Sequence, residues 1–314
     1  MIMNDAIQLD RLSKRFKRTE ALKDVTLNVP EGSVFALLGE NGAGKTTAIR
    51  IMLGLERPDS GHARVLGYDS KSEDLDIRRR VGYVPETPDL YDWMTVYQIG
   101  WYAAGFYPQG YWDRFTAMAE EFELPSKAKI KTLSKGMRAK VSLSLALSHD
   151  PDLLILDEPT SGLDAMVRRE FLESMVQRAA DGRTVFLSSH QINEVERVAE
   201  YVALIRQGDL VLVERLEDLK ARSRMISMTL AGEAVDPQLP EGRIVDCQQE
   251  GRRLRWLATD LPDARIGEIG EQSGVESVDV HRPNLEEIFV AHMKGSAGVP
   301  SDANDSASNL GGAV

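Results

Sequence analysis

The chain has 314 residues, 42% hydrophobic and 28% charged, the range of a soluble globular protein long enough for about two domains. Its net charge of −11 and pI near 5.1 argue against a protein whose main work is gripping nucleic-acid phosphates. A single cysteine, Cys247, rules out an internal disulfide and fits a reducing compartment.

The start, MIMNDAIQLD, carries acid early and has no apolar core, so no signal peptide is expected. No run of about 20 apolar residues is present, so any membrane role must come through a partner. RLSKRFKR (11–18) is a basic run that reads as a solvated face, with Phe16 as a core side chain between charges. Val25, Leu27 and Val29 alternate as in a half-buried strand. SVFALLG (33–39) is a short apolar run, typical of a strand covered on both faces.

GENGAGKT (39–46) follows with the spacing G-x-x-x-x-G-K-[ST], and a helix-compatible stretch spans 45–54. Gly39, Gly42 and Gly44 let the backbone approach phosphate oxygens, and amides at a helix N-terminus point at the anion. Lys45 is placed to bridge terminal phosphates, Thr46 to offer a hydroxyl to Mg²⁺, and Thr47 to hold another phosphate oxygen.

VGYVPE (81–86) comes next, then YDWMTVYQIGWYAAGFYPQGYW (91–112), which holds nine of the chain's twenty aromatic residues. Met94, Tyr97, Trp101 and Ala104 recur there at helical spacing, within a helix expected over 95–107. Some of these rings pack a helical face, and the surplus suits a docking groove. In TLSKGMRAK (132–140), Ser134 and the amide of Gly136 precede a helix expected to start near Met137 within 134–148, an anion site.

DLLILDE (152–158) is an apolar strand ending in two carboxylates: Asp157 suits a Mg²⁺ shell, and Glu158 could polarise an attacking water. A helix is expected over 165–180. TVFLSS (184–189) is another buried strand, and His190 at its end reads as a γ-phosphate contact. GDLVLV (208–213) closes an alternating α/β region with a largely parallel core sheet.

Beyond LEDLKARS the texture changes. Strands are expected at 224–230, 242–247, 252–258 and 275–281, and helices at 262–273 and 285–294. The division is 1–218 for a nucleotide-binding domain, 219–294 for a small α+β accessory domain, and 295–314 for a small, polar, disordered tail.

The order GENGAGKTT, VGYVPE, LSKGM, LLILDEP, SGLD and SSH resembles the ATP-binding subunit of an ABC transporter over about residues 7–215. The resemblance implies an α/β P-loop NTPase of ABC ATPase type, with a RecA-like core sheet, an antiparallel β subdomain and a helical subdomain. It implies ATP and Mg²⁺ as cofactors, with Thr46, Asp157 and Glu86 as metal-site residues and Glu158, His190 and Lys45 as catalytic ones. It places Phe16 against adenine, Asn41 in the nucleotide loop, and Asp164 at the junction of two halves of a dimer. Ser134 and Gly136 would face the ATP held by a second copy, so the active unit would be an ATP-dependent homodimer.

Two positions depart from the family pattern. Glu86 stands where Gln is common, and LSKGM replaces LSGGQ, with Lys135 and Met137 the changed residues. Both forms resemble the branch that exports drugs, polysaccharides and ions, whose membrane subunits are usually separate chains. RPNLEEIFVAHM (282–293) resembles the tail of the same branch. The implied partner is an integral-membrane permease, with the chain held peripherally at the cytoplasmic face through it. An importer ATPase, a soluble ATPase acting on ribosomes or DNA, and a regulatory module without turnover fit less well. The single phosphate loop, the acidic balance and the presence of Lys45, Glu158 and His190 weigh against them.

Overall fold

Two long strands, β1 (Asp5–Phe16) and β2 (Thr19–Pro30), open the chain as an antiparallel pair. A register shift between Leu9 and Leu12, where Arg11 has a φ of 47°, interrupts the alternation of buried and exposed side chains along β1. The computed structural model describes residues 4–161, 163–232 and 235–294; the tail expected at 295–314 lies outside them. One unit ends at Glu214 and a second begins at Arg215. Residue 218 lies on the helix Leu216–Arg222, which buries Leu216 and Leu219.

Next come β3 (Val34–Leu38), α1 (Lys45–Met52), β4 (Ser60–Val65), β5 (Tyr68–Asp69), α2 (Asp74–Arg80) and β6 (Val81–Val84). The helical part is α3 (Val96–Ala104), α4 (Tyr111–Glu121) and α5 (Lys135–Leu147). The unit finishes with β7 (Leu153–Asp157), α6 (Ala165–Ala180), β8 (Thr184–Ser189), α7 (Ile192–Val195), β9 (Tyr201–Arg206) and β10 (Asp209–Arg215).

Six strands form the central sheet in the order β10-β9-β3-β8-β7-β6. The neighbours from β9 through β6 run parallel. Every residue of β3, β7 and β8 is buried, as expected for strands covered on both faces. β9 turns into β10 through Gln207 and Gly208, with φ of 51° and 87°, the geometry of a tight hairpin. A second sheet, β2-β1-β4-β5, is antiparallel. Its Ile7, Leu9, Leu27 and Val65 join Phe35, Ile49, Ile155 and Phe186 in one apolar core.

The helical part has its own core of Val96, Ile99, Tyr111, Phe115, Ile130 and Val141. Thr95 and Gln98 form a reciprocal cap that starts α3. Gly100 is required where α3 meets α4, since a Cβ there would lie 2.0 Å from the Phe115 ring. Tyr111 donates to the Leu145 carbonyl and Arg114 Nε to the Ser148 carbonyl, tying α4 to the end of α5.

The second unit contains α8 (Leu216–Arg222), β11 (Ser223–Leu230), β12 (Arg243–Glu250), β13 (Arg253–Thr259), α9 (Ile266–Gly270), β14 (Val275–His281) and α10 (Leu285–Lys294). Its sheet, in the order β12-β13-β11-β14, is antiparallel. Ile226, Met228, Leu230, Leu254, Trp256 and Ala258 line its core with Ile269 of α9. The helix expected over 262–273 is shorter: a 3-10 turn at Asp263–Arg265 precedes α9, and Gly267, Gly270 and Gly274 disfavour a longer one. Asn284 and Glu287 cap α10 reciprocally.

Candidate functional site

In a parallel sheet all strands point their C-terminal ends to one edge, and ligands bind there. The order β3-β8-β7-β6 therefore lines up the 39–46 loop, the end of β8, the two carboxylates after β7 and the segment after β6. The loop has little choice of residue at two points. A Cβ at Gly39 would lie 2.5 Å from the Ile205 carbonyl oxygen. Gly44, the residue before α1, has a φ of 112°, and a Cβ there would sit 2.2 Å from the Ala21 carbonyl.

Asn41 and Gly42 are exposed at the loop's tip, and space around a Cβ at Gly42 is open. Lys45 is buried, while Thr46 is exposed and Thr47 half-buried on the first turn of α1. Backbone amides of a glycine-rich turn at a helix start point toward one spot and favour an anion there.

The centre of the site is Glu158. Its side chain is only 5% exposed, and its φ of 48° marks a left-handed turn directly after β7. Lys45 Nζ lies 2.9 Å from Glu158 Oε1, and His190 Nδ1 lies 2.7 Å from Oε2. The His190 amide also donates to Oε2. Oε1 accepts no well-angled hydrogen bond, so its attraction to Lys45 is chiefly Coulombic. Lys45 donates in addition to the carbonyls of Gly39, at 2.6 Å, and Glu40, at 3.2 Å. Phosphate loop, acidic strand end and histidine are thus one cluster.

Asp157 is 1% exposed and accepts a 2.6 Å hydrogen bond from Ser188 Oγ. The same hydroxyl and the Ser188 carbonyl accept from the Glu158 amide. Ser188 therefore sets the turn that carries both carboxylates. Sequence reasoning noted the two serines before His190 without giving either this work. Asp157 also adds to the burial that pushes the Tyr83 hydroxyl up to about 12, so Tyr83 is a neutral neighbour. Thr46, Asp157 and Glu86 offer only oxygen donors, the set a hard cation such as Mg²⁺ takes beside phosphate and water.

Among the described residues, the contacts of this cluster do not include Glu86, Phe16, Ser134, Gly136 or Asp164. Glu86 is exposed beyond the end of β6. Phe16, taken from its neighbours as a core residue, is instead 44% exposed at the end of β1. Its ring carries Lys14 Nζ 5.0 Å from the centroid, and Lys14 is anchored by Glu56 at 2.8 Å. Lys14 was missed because the basic run read as solvated.

Helix α5 begins at Lys135, two residues before Met137, and Ser134 is its N-cap, accepting from the Met137 amide. With the Met137 amide taken by the cap, the amides of Lys135 and Gly136 and the Ser134 proton are the donors that could meet an anion. Asp164 caps α6 by accepting from the Met166 and Val167 amides. Of the aromatic stretch, Tyr111 is buried, whereas Trp93, Tyr97, Trp101 and Phe106 are 64%, 53%, 66% and 70% exposed.

A family model described as ABC transporter matches residues 22–161. An uncharacterized ABC transporter ATP-binding protein of Nostoc sp., all4389, is 36% identical over 88% of this chain and 84% of its own length. The linearmycin resistance ATP-binding protein LnrL of Bacillus subtilis is 32% identical over 72% of this chain and 75% of its own. Among solved structures, the ATP-binding cassette MJ0796, a dimer in a post-hydrolysis state bound to ADP and phosphate, superposes with a TM-score of 0.62. It is 25% identical and covers 67% of this chain and 98% of the cassette. With a phosphate loop, an acidic strand end and a histidine converging on one sheet edge, the chain belongs to the ATP-binding subunits of ABC transporters and is an ATPase.

Proposed function

We propose that this chain powers export through a separate integral-membrane permease, as a Mg²⁺-dependent ATPase that works as an ATP-bridged homodimer. The observation that carries the chemistry is the double engagement of Glu158 by Lys45 and His190. The triphosphate enters the 39–46 cradle and draws Lys45 from Glu158 onto its terminal phosphates. The freed carboxylate orients and polarises a water, and His190 holds Glu158 and meets the γ-phosphate. Phe16 offers its exposed ring to adenine. Mg²⁺, held by Thr46, Asp157 and Glu86, would neutralise charge on the phosphates. Catalysis rests on positioning and charge stabilisation.

Export as the direction is supported by the SKGMR form of the α5 entry, by Glu86, and by the similarity to a linearmycin resistance protein. Among the described residues no helix is long and apolar enough to cross a membrane. The chain would then act at the cytoplasmic face, held by the permease, with no role on nucleic acid. The accessory unit beginning at Arg215 would stabilise or regulate the dimer.

Docking of the permease is assigned to the exposed aromatic side of α3. Tyr97→Ala with Trp101→Ala is expected to abolish co-purification with the permease and to leave ATP turnover of the isolated chain within about twofold, since exposed positions off the site carry little stability. Intact complex formation and transport would remove this assignment.

Ser134→Arg tests the dimer. Loss of its cap costs about 1 kcal/mol, which the unit tolerates. Nucleotide affinity of the monomer is expected to stay unchanged while ATP no longer produces a dimer by light scattering. Loss of ATP binding in the folded variant would show instead that Ser134 serves its own chain's nucleotide.

A further inference from the structure

The first turns of α6 touch three segments that belong to different parts of the ATP site. At its cap, Asp164 holds the Met166 and Val167 amides. On one side Val167 lies against the start of α5: a Cβ on Gly136 would be 3.4 Å from the Val167 side chain. One turn on, Lys140 of α5 pairs with Glu170 of α6 at 2.8 Å. On the other side Arg168 Nη1 lies 2.8 Å from Glu194 Oε1 in α7, the short helix that follows His190. Arg168 Nη2 also donates to the Leu163 carbonyl at 2.9 Å, directly before Asp164.

The joint is half-buried, with the Glu194 side chain 13% exposed and that of Arg168 33%. Among the described residues the 2.8 Å contact is an ion pair rather than a well-angled hydrogen bond. An ion pair open to solvent contributes little stability, so stability alone does not account for it.

We propose that Arg168 is a positioning residue that connects the two ATP sites of a dimer: it transmits closure at Ser134, Gly136 and Asp164 through Glu194 to the His190–Glu158 pair of the same chain. This rests on the homodimer reading above. When nucleotide held by a second copy settles on the start of α5, Val167 and Asp164 shift together because they share one helical turn. Arg168 carries that shift to α7 and so to the His190 backbone, whose amide and ring both hold Glu158 Oε2. The pair couples rigid elements rather than touching nucleotide.

The test is a set of variants in the full chain: Arg168→Ala, Arg168→Lys, Glu194→Gln and the double variant Arg168→Ala/Glu194→Gln. ATP turnover, KM and nucleotide affinity of the monomer are measured beside thermal melting. Arg168→Ala and Glu194→Gln are each expected to lower kcat by about tenfold or more with KM and monomer affinity within about twofold, the pattern of a loss felt in the transition state only. The double variant is expected to be no slower than either single one, because both cut the same link. Arg168→Lys, which keeps the charge, is expected to recover part of kcat.

A purely structural role would lower the melting temperature without this split between kcat and KM. Wild-type kcat in a folded Glu194→Gln or Arg168→Ala, or multiplied losses in the double variant, would overturn the proposal. A wild-type chain that forms no dimer with ATP yet hydrolyses it would overturn the homodimer reading, and this proposal with it.

Discussion

Glu158→Gln is expected to lower ATP turnover by about 10²–10⁴-fold, the range of a lost general base, while ATP still draws two chains together. The expectation comes from what the carboxylate holds. Its two oxygens engage Lys45 at 2.9 Å and His190 at 2.7 Å, with 5% of the side chain exposed. Glutamine has the same shape, so His190 keeps a carbonyl oxygen to bond, and the turn after β7, set by Ser188, is untouched. What is lost is the negative charge that can take a proton from water.

The same change acts differently on binding. In this structure Lys45 spends its charge on Glu158; with glutamine there, it has only the Gly39 and Glu40 carbonyls. A phosphate then displaces a weaker competitor. ATP affinity is therefore expected to hold or rise in Glu158→Gln, and ATP is expected to raise its melting temperature more than that of the wild type. Turnover is read by phosphate release and dimerisation by light scattering. Wild-type turnover would remove Glu158 from the catalytic role, and loss of ATP-driven association would detach dimerisation from nucleotide binding.

The parts of the site that could be read from sequence are those where local spacing fixes the backbone. VFALL followed by GENGAGKT allows one outcome, since an apolar strand must end at the sheet edge and the glycines admit little but a phosphate turn. LLILDE and TVFLSS are legible for the same reason: every residue of β7 and β8 is buried. The resemblance added roles that spacing alone could not supply.

Phe16 shows where local reasoning fails. Charged neighbours made it read as core, but a hairpin end leaves it 44% exposed, and only tertiary pairing of β1 with β2 decides that. The helices α2 and α4 and the strand β9 were not singled out. Tyr111, Phe115 and Ala119 do recur at four-residue spacing on α4, but the aromatic run around them masks the period. The links through Ser188, Arg168 and Glu194 are beyond any local signal, because each joins residues on elements that only the fold makes neighbours.

Lys45→Ala carries the second large effect, and it separates binding from folding. Lys45 reaches Glu158 from a position 5% exposed, so the substitution strands a buried carboxylate. Breaking a buried ion pair by removing one partner costs about 3–5 kcal/mol. Glu158 retains His190, which places the expected loss at the lower end, near 3 kcal/mol. For a unit of this size that corresponds to a fall in melting temperature of roughly 6–12 °C.

ATP affinity is expected to drop by about 10–100-fold, the loss of one charge-assisted contact to phosphate. The double variant Lys45→Ala/Glu158→Gln distinguishes the two effects. With the carboxylate gone there is no stranded charge, so it is expected to melt above Lys45→Ala while binding ATP no better. Additive losses of stability would mean that Lys45 and Glu158 are not paired in the free chain, and unchanged ATP affinity in Lys45→Ala would contradict a phosphate-binding role for the lysine.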